Sequence, residues 1–361
     1  MKMMATPLET TAWYDYQTYP DLFCEFKDMN YAKNFVVSIY CLVFIVGTFG
    51  NAVVIIIMRS KRKSRRLADI FVTQLAIADL VFLLTLPLWA VSTALDHHWL
   101  FGGGLCKICS YIVVVNMYSS IFFLTCMSID RYMAIVLSVR YGYLRSKRYA
   151  VVTSLLIWTL SLALGLPTLF FRIMVNYDDR WICSEINTPP RNTFTLVTRF
   201  IAFVLPLGVI TVCYCSVGIK LYRHFNKMKK EEKKKRKSIK IGLWIIIMFI
   251  LSWLPYNVLK TMDMLVQSST IQASCDTQEA VSKGIKLFTC LAFINSCVNP
   301  IVYLVFDHHF RERFFQLLPC EVVRALKVHS STSQPESTRS QRRNSSFCKE
   351  EETVTATKIS S

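Results

Sequence analysis

A chain of 361 residues would ordinarily suggest two soluble domains of average size, but 53% hydrophobic residues, only 18% charged ones and a mean hydropathy of +0.36 argue otherwise. The 42 Lys and Arg outnumber the 24 Asp and Glu, for a net charge of +18 and a pI near 9.4. The apolar residues fall in runs of about twenty with the basic residues in the gaps, which excludes a disordered chain, a soluble nucleic-acid-binding domain and a disulfide miniprotein, and points to an integral membrane protein.

In chain order, residues 1–34 form a polar arm. Residues 1–33 carry five acids against three lysines, with Tyr14-Asp15-Tyr16, Tyr19 and Asp21 among them. No charged start followed by an apolar core is present, so the first helix is expected to serve as the insertion signal. Apolar runs of spanning length follow at 35–58, 67–95, 108–129, 149–171, 200–219, 241–259 and 287–306. A bilayer core needs roughly 20 such residues per helix. No strand alternation supports a barrel, so the fold expected over 35–306 is an all-α membrane protein, a bundle of seven transmembrane helices. A short amphipathic helix is expected within 307–320 and a disordered tail over 321–361, where residues 330–361 hold fourteen Ser and Thr.

Loop charge predicts the orientation. Loop 59–66 has six basic residues and no acid, 130–148 five against one, and 220–240 eleven against two, while 172–192 and 260–286 have three of each sign. The basic loops should be cytoplasmic, leaving the N-terminus outside and the C-terminus inside. The positive charge is then a topology signal, and no nucleic-acid partner is expected.

Four of the thirteen cysteines can reach the outer face: Cys24, Cys106, Cys183 and Cys275. Four cysteines allow three pairings. Cys106–Cys183 would tie the third helix to the long outer loop, and Cys24–Cys275 would then tie the arm to the last loop. Cys320, a dozen residues past the last helix, is a palmitoylation candidate.

An ionisable group inside a membrane helix is costly and functional by default. Asp79 is the one carboxylate at mid-membrane depth. Asn116 and Ser120 share a face of the third helix, and Asn295 and Asn299 a face of the seventh. With Asn51 these could surround Asp79 with hard oxygen ligands suited to a sodium ion, or form a polar network that holds the helices together. Phe249 and Trp253 lie on one face of the sixth helix, before a kink at Pro255. Asp130-Arg131-Tyr132 sets a carboxylate beside a guanidinium at the inner end of the third.

Together these residues resemble the pattern of rhodopsin-like G-protein-coupled receptors over about 35–320. The matching residues are Gly50-Asn51, Leu75-x-x-x-Asp79, Asp130-Arg131-Tyr132, Trp158, Trp253-x-Pro255 and Asn299-Pro300-x-x-Tyr303, with Pro206 and Tyr214 on the fifth helix. The resemblance implies that Asp79, Asn116, Ser120, Trp253, Asn295 and Asn299 form an allosteric sodium site. It also implies that Pro206, Ile121 and Phe249 connect a ligand pocket to the cytoplasmic face, and that Phe306 to Phe315 form the amphipathic helix. Thr85-Leu86-Pro87-Leu88-Trp89, Trp99 before Cys106, and the Cys24/Cys275 pair resemble chemokine receptors. Asn295-Ser296-Cys297-Val298-Asn299-Pro300 fits that group and its apelin and angiotensin neighbours. Ser64-Arg65-Arg66-Leu67-x-Asp69 and Thr289-Cys290-Leu291-Ala292-Phe293 look closest to the branch that holds G-protein coupled receptors 25 and 15. Val113 and Phe293 stand where amine receptors and opsins carry their aspartate and lysine, so amine and retinal ligands are not expected.

The resemblance implies a plasma-membrane receptor for a peptide or small protein, chemokine-like, that activates a heterotrimeric G protein of the inhibitory class. A non-signalling scavenging receptor and a secondary transporter are the alternatives. An enzyme is not expected, nor any cofactor beyond sodium. Tyr14, Tyr16 and Tyr19 resemble sulfation sites, and tail residues such as Ser345 and Ser346 are candidates for a receptor kinase and arrestin. Thr289 stands where many chemokine receptors hold a ligand's amino end with a glutamate. Arg172, Arg199, Lys260, Lys283 and Lys286 cluster by sequence position at the outer helix ends, so a ligand's carboxy-terminal end is expected to enter, its last apolar side chain against Trp89.

Overall fold

Seven helical segments are long and apolar enough to cross a membrane: Lys33–Arg59, Ala68–Ala94, Gly102–Ile135, Lys147–Phe171, Pro189–Lys220, Gly242–Gln267 and Cys275–Phe306. They belong to a computed structural model that describes residues 30–60, 67–137, 146–177, 179–186, 188–223, 230–268, 270–306 and 308–317. Tyr14, Tyr16, Tyr19, Cys24, Cys320, Ser345 and Ser346 lie outside these residues, as do the arm before residue 30 and the tail.

The elements are α1 (Asn30–Ser60), α2 (Leu67–Leu83), α3 (Leu86–Ala94), α4 (Gly102–Ile135), α5 (Lys147–Gly165), α6 (Pro167–Phe171), strands β1 (Arg172–Tyr177) and β2 (Arg180–Glu185), α7 (Pro189–Arg199), α8 (Leu205–Arg223), α9 (Lys230–Gln267), α10 (Cys275–Phe306) and α11 (His308–Leu317). Three spans are composite, and prolines explain why. Pro87 has no N–H to offer the carbonyl of Leu83, so the second span turns at Leu84-Thr85. There Thr85 donates to Phe82 O through both its backbone N (2.9 Å) and its hydroxyl (2.8 Å). In the fourth span Pro167 starts α6. In the fifth, a π-helical turn at Phe200–Val204 joins α7 to α8 just ahead of Pro206, which cannot bond Ala202 O.

Several helices outrun their apolar runs. The third begins at Gly102 rather than 108, the fifth at Pro189 rather than 200 and the seventh at Cys275 rather than 287, while the sixth ends at Gln267 rather than 259. Hydropathy marks the lipid-matched stretch, whereas the backbone ladder continues through polar turns. Ion pairs within a helix support those turns, Lys260–Asp263 at 3.1 Å and Lys283–Glu279 at 2.6 Å. The sequence reading also has no strand in 172–192. The structure forms an antiparallel hairpin there, with Arg172 opposite Glu185 and Met174 opposite Cys183. The hairpin is held by the Cys106–Cys183 disulfide and by Trp99 N–H to Trp181 O at 2.7 Å.

The burial pattern is that of a protein solvated by lipid. Phe35, Ile45, Phe49, Leu155, Leu156, Phe170 and Leu251 face outward, whereas Asn51, Asp79, Asn116, Ser120, Asn295 and Asn299 are buried. One core cluster runs through the bundle from Phe82 and Phe293 past Trp253, Phe249 and Ile121 to Tyr303 and Phe310. Phe310, on α11, packs its ring 6.0 Å from that of Tyr303 and so anchors the short helix.

The contact between α1 and α10 shows how two sequence motifs depend on each other. A Cβ on Gly50 would lie 2.8 Å from Cβ of Pro300, so only glycine admits the proline ring. Pro300 lacks the N–H that would bond the carbonyl of Ser296 four residues earlier. Asn51 replaces it: its Nδ2 donates to Ser296 O at 2.9 Å and to Gly47 O at 2.9 Å. Asn51→Ala is therefore expected to strand a buried carbonyl and lower stability by about 1–3 kcal/mol. Thermal unfolding of the purified protein measures this, and an unchanged midpoint would show that the carbonyl finds another donor.

Candidate functional site

Three polar sites lie along the bundle axis. At its middle, Asp79 of α2 is buried and accepts three hydrogen bonds. Asn116 Nδ2 (3.1 Å) and Ser296 Oγ (2.9 Å) donate to Oδ1, and Asn299 Nδ2 (3.1 Å) donates to Oδ2. Asn116 and Asn299 thus stand where the sequence places them, and Ser296 is an addition. Asn51 gives its Nδ2 to the carbonyl freed by Pro300, while its Oδ1 is buried and accepts no hydrogen bond in the structure. Ser120 is buried one turn from Asn116 on α4. Asn295 and Asn299 likewise each keep a buried Oδ1 that accepts no hydrogen bond. Oxygens without a proton donor suit a hard cation. Trp253 does not bond Asp79, and its ring packs between Phe249 (6.1 Å) and Tyr256 (5.7 Å).

Toward the α11 end, Asp130 is buried with its Oδ2 4.0 Å from Nε of Arg131, the outer limit of an ion pair. Tyr214 of α8 lies beside Arg131 and Ser128. A Cβ on Gly242 would come within 2.5 Å of the Tyr214 hydroxyl, so α9 approaches α8 closely here. Ile121, Phe249 and Phe203 fill the space toward Trp253, with the Phe203 and Phe249 rings 6.4 Å apart. Pro206 is buried. Pro255 and Pro300 lie inside α9 and α10. Ile121 and Phe249, two of the expected connector residues, thus share one packed cluster with Trp253 and Phe203.

Toward the hairpin end a cavity opens between α4, α6, α7 and α9, with Trp253, Met117, Tyr118 and Tyr256 among its lining residues and Arg172, Arg191, Arg199 and Lys260 around it. Arg172, Arg199 and Lys260 were expected near one another, whereas Arg191 and Glu185 were not singled out in the sequence. Glu185, the last residue of β2, pairs with Arg172 NH2 at 3.0 Å and with Arg191. Burial by itself would raise its carboxyl pKa, but Arg172, Lys260, Arg191 and Arg199 outweigh that and hold it at about 2, down from the ordinary 4.5. A depressed carboxylate adds stability that is full above the unfolded value and fades as pH falls from about 4.5 toward 2, so this clamp keeps its charge throughout the physiological range.

The other expected ligand residues have different neighbours. Trp89 packs against Trp99 with the rings tilted by 49° and their centroids 4.9 Å apart, in a cluster with Cys106 and Cys183 beneath the hairpin. Thr289 satisfies its hydroxyl on Ile285 O at 2.7 Å, and Lys286 is exposed. Cys275 is disulfide-bonded, and the pairing with Cys24 falls outside the described residues.

Residues 50–303 match the family described as 7 transmembrane receptor (rhodopsin family). The chain belongs to this family. It is 40% identical to apelin receptor A of Danio rerio over 338 residues, covering 90% of this chain and 93% of the relative. It is 38% identical to the apelin receptor of Xenopus tropicalis over 319 residues, 85% of this chain and 88% of the other. With G-protein coupled receptor 15 of Mus musculus it shares 36% over 335 residues, 92% and 91% of the two chains. The chain is thus a class A receptor of the chemokine-receptor-like group and not an enzyme. In this receptor Gly50, Asp79, Asp130-Arg131 and Asn299-Pro300 are the bundle's packing and hydrogen-bonding centres, which gives the sequence motifs their physical reason.

Proposed function

We propose that this is a plasma-membrane receptor, its hairpin end extracellular and its α11 end cytoplasmic, that binds the carboxy-terminal end of a peptide or small protein and activates a heterotrimeric G protein of the inhibitory class. The observation that carries the ligand reading is the charge around the cavity. Arg172, Arg191, Arg199 and Lys260 face two carboxylates, Glu185 and Asp263, leaving two positive charges in excess. Arg199 donates to the neutral hydroxyl of Thr261, and Arg172 Nε is buried without an acceptor. Guanidinium groups in this condition suit a carboxylate. The basic loops favour the cytoplasmic assignment, and the relatives are named as receptors for apelin.

Sodium at Asp79, with the free oxygens of Asn295 and Asn299, is the allosteric ion of this proposal. Movement of α9 away from Tyr214 would release Arg131 to meet the G protein. A receptor kinase and arrestin would read the Ser/Thr-rich tail, and sulfated tyrosines on the acidic arm would add charge for a basic ligand. Peptides that promote nucleotide exchange on a purified inhibitory G protein through this receptor test the reading when compared as C-terminal acid and amide. Arg199→Ala is expected to weaken the acid form by about 1.5–3 kcal/mol, as for a hydrogen bond to a charged group. Lys260→Ala should cost less, since Asp263 already neutralises that ammonium at 3.1 Å. Full potency of the amide on the unmutated receptor would rule out the carboxyl-end model.

A further inference from the structure

Three of the four cations around the cavity are already paired with a carboxylate, two of them with Glu185. Each oxygen of Glu185 takes its own arginine, Oε1 that of Arg172 at 3.0 Å and Oε2 that of Arg191. Arg191 is itself buried, and its other terminal nitrogen donates to Asn192 at 3.2 Å. Glu185 cannot drift far. It lies two residues past Cys183, which is bonded to Cys106, and the next residue donates Ile186 N–H to Phe171 O at 2.9 Å. Its carboxylate borders both the deep cavity floored by Trp253 and a polar vestibule lined by Asp263, Met264 and Gln267. Lys260 is held by Asp263. Arg199, deeper in the cavity, is bonded to a neutral hydroxyl.

We infer that Glu185 is a specificity-determining positioning residue. It occupies Arg172 and Arg191 as an internal carboxylate and leaves Arg199 as the seat for a ligand's carboxylate. This rests on the carboxyl-end reading above and deepens it. Displacing Glu185 would break two charge-assisted bonds to make similar ones, so a second carboxylate binds beside it instead. Arg191 then acts on the ligand only by neutralising Glu185. Without Arg191, Glu185 keeps Arg172 as its one direct ion-pair partner and repels an incoming carboxylate more strongly. Removing both charges restores the excess of two positive charges that the unmutated cavity has.

The test uses the full-length receptor purified in nanodiscs, with N-acetyl-phenylalanine and its amide as probes and thermal unfolding as the readout of binding. The difference between acid and amide affinity reports the carboxylate seat and is insensitive to a loss of fold shared by both measurements. The unmutated receptor should prefer the acid, and Glu185→Gln should prefer it more. Arg191→Ala should lose about tenfold or more of that preference. The Arg191→Ala/Glu185→Gln double variant should regain it, while Arg199→Ala should abolish it wherever Glu185 is retained to occupy Arg172. A double variant as poor as Arg191→Ala alone would mean that Arg191 holds the ligand directly and would overturn the inference. Equal binding of acid and amide to the unmutated receptor is a different outcome, which refutes the carboxyl-end reading itself.

Discussion

Replacing Cys183 by alanine is expected to abolish ligand binding and to remove most of the receptor from the cell surface. The Cys106–Cys183 bond closes 77 residues of sequence separation, and a loop of that size contributes about 4 kcal/mol by the chain-entropy estimate. More is lost than stability. Glu185 and Arg172 face each other at the open end of the hairpin, two positions from the Cys183–Met174 register point. Releasing Cys183 frees the strand that delivers Glu185 to Arg172 and Arg191, and with it one wall of the cavity. Surface labelling and ligand-dependent nucleotide exchange measure the two effects. The Cys106→Ala/Cys183→Ala pair should be no worse than either change alone, because one bond is lost in each case. If Cys24 is the partner of Cys275, as the resemblance implies, losing that bond should be milder, since it would restrain only the arm. Normal affinity in Cys183→Ala would show that the remaining hairpin contacts hold the wall unaided.

The second large effect concerns Asp79. If sodium favours the packing in which α9 lies against Tyr214, an agonist that favours the other packing must oppose sodium by linkage. Agonist affinity should then fall as sodium replaces choline at constant ionic strength, by roughly 5–150-fold for a coupling of about 1–3 kcal/mol. Asp79→Asn keeps a polar side chain among Asn116, Ser296 and Asn299 but removes the charge that balances the ion, and should flatten the sodium response to within about twofold. Holding ionic strength constant separates this from screening at the surface. A sodium response that survives Asp79→Asn would place the ion elsewhere.

The residues differ in how far they could be read in advance. Asp79, Asn116 and Asn299 were legible because a polar residue in a lipid-facing segment is anomalous by itself, and helical spacing then aligns it with others. Ser296 was not, since a serine in such a helix can satisfy its hydroxyl on its own preceding turn and carries no signal. Asn51 gave a true signal, but the partner of its Nδ2 was not legible. Its importance follows from Pro300, which lies 249 positions away in the sequence and leaves Ser296 O without a donor. Trp89 was legible as an aromatic at the outer end of a span, but its packing against Trp99 and the disulfide was not.

Residue type by itself determined seven spans and the set of cysteines able to meet, and it set the expected insertion sense by loop asymmetry and the expected kink at Pro255. These follow from properties that each residue carries with it: transfer free energy, charge and a missing N–H. The identity of each partner was decided only by the tertiary structure. Glu185 could have paired with solvent, with Arg180 on its own strand or with Lys260, and the sequence distinguishes none of these. The hairpin register brings it opposite Arg172, and the start of α7 brings Arg191 to its other oxygen. Ion pairing depends on separation and local dielectric, and both are set only when the strands, helices and disulfide have closed around the carboxylate.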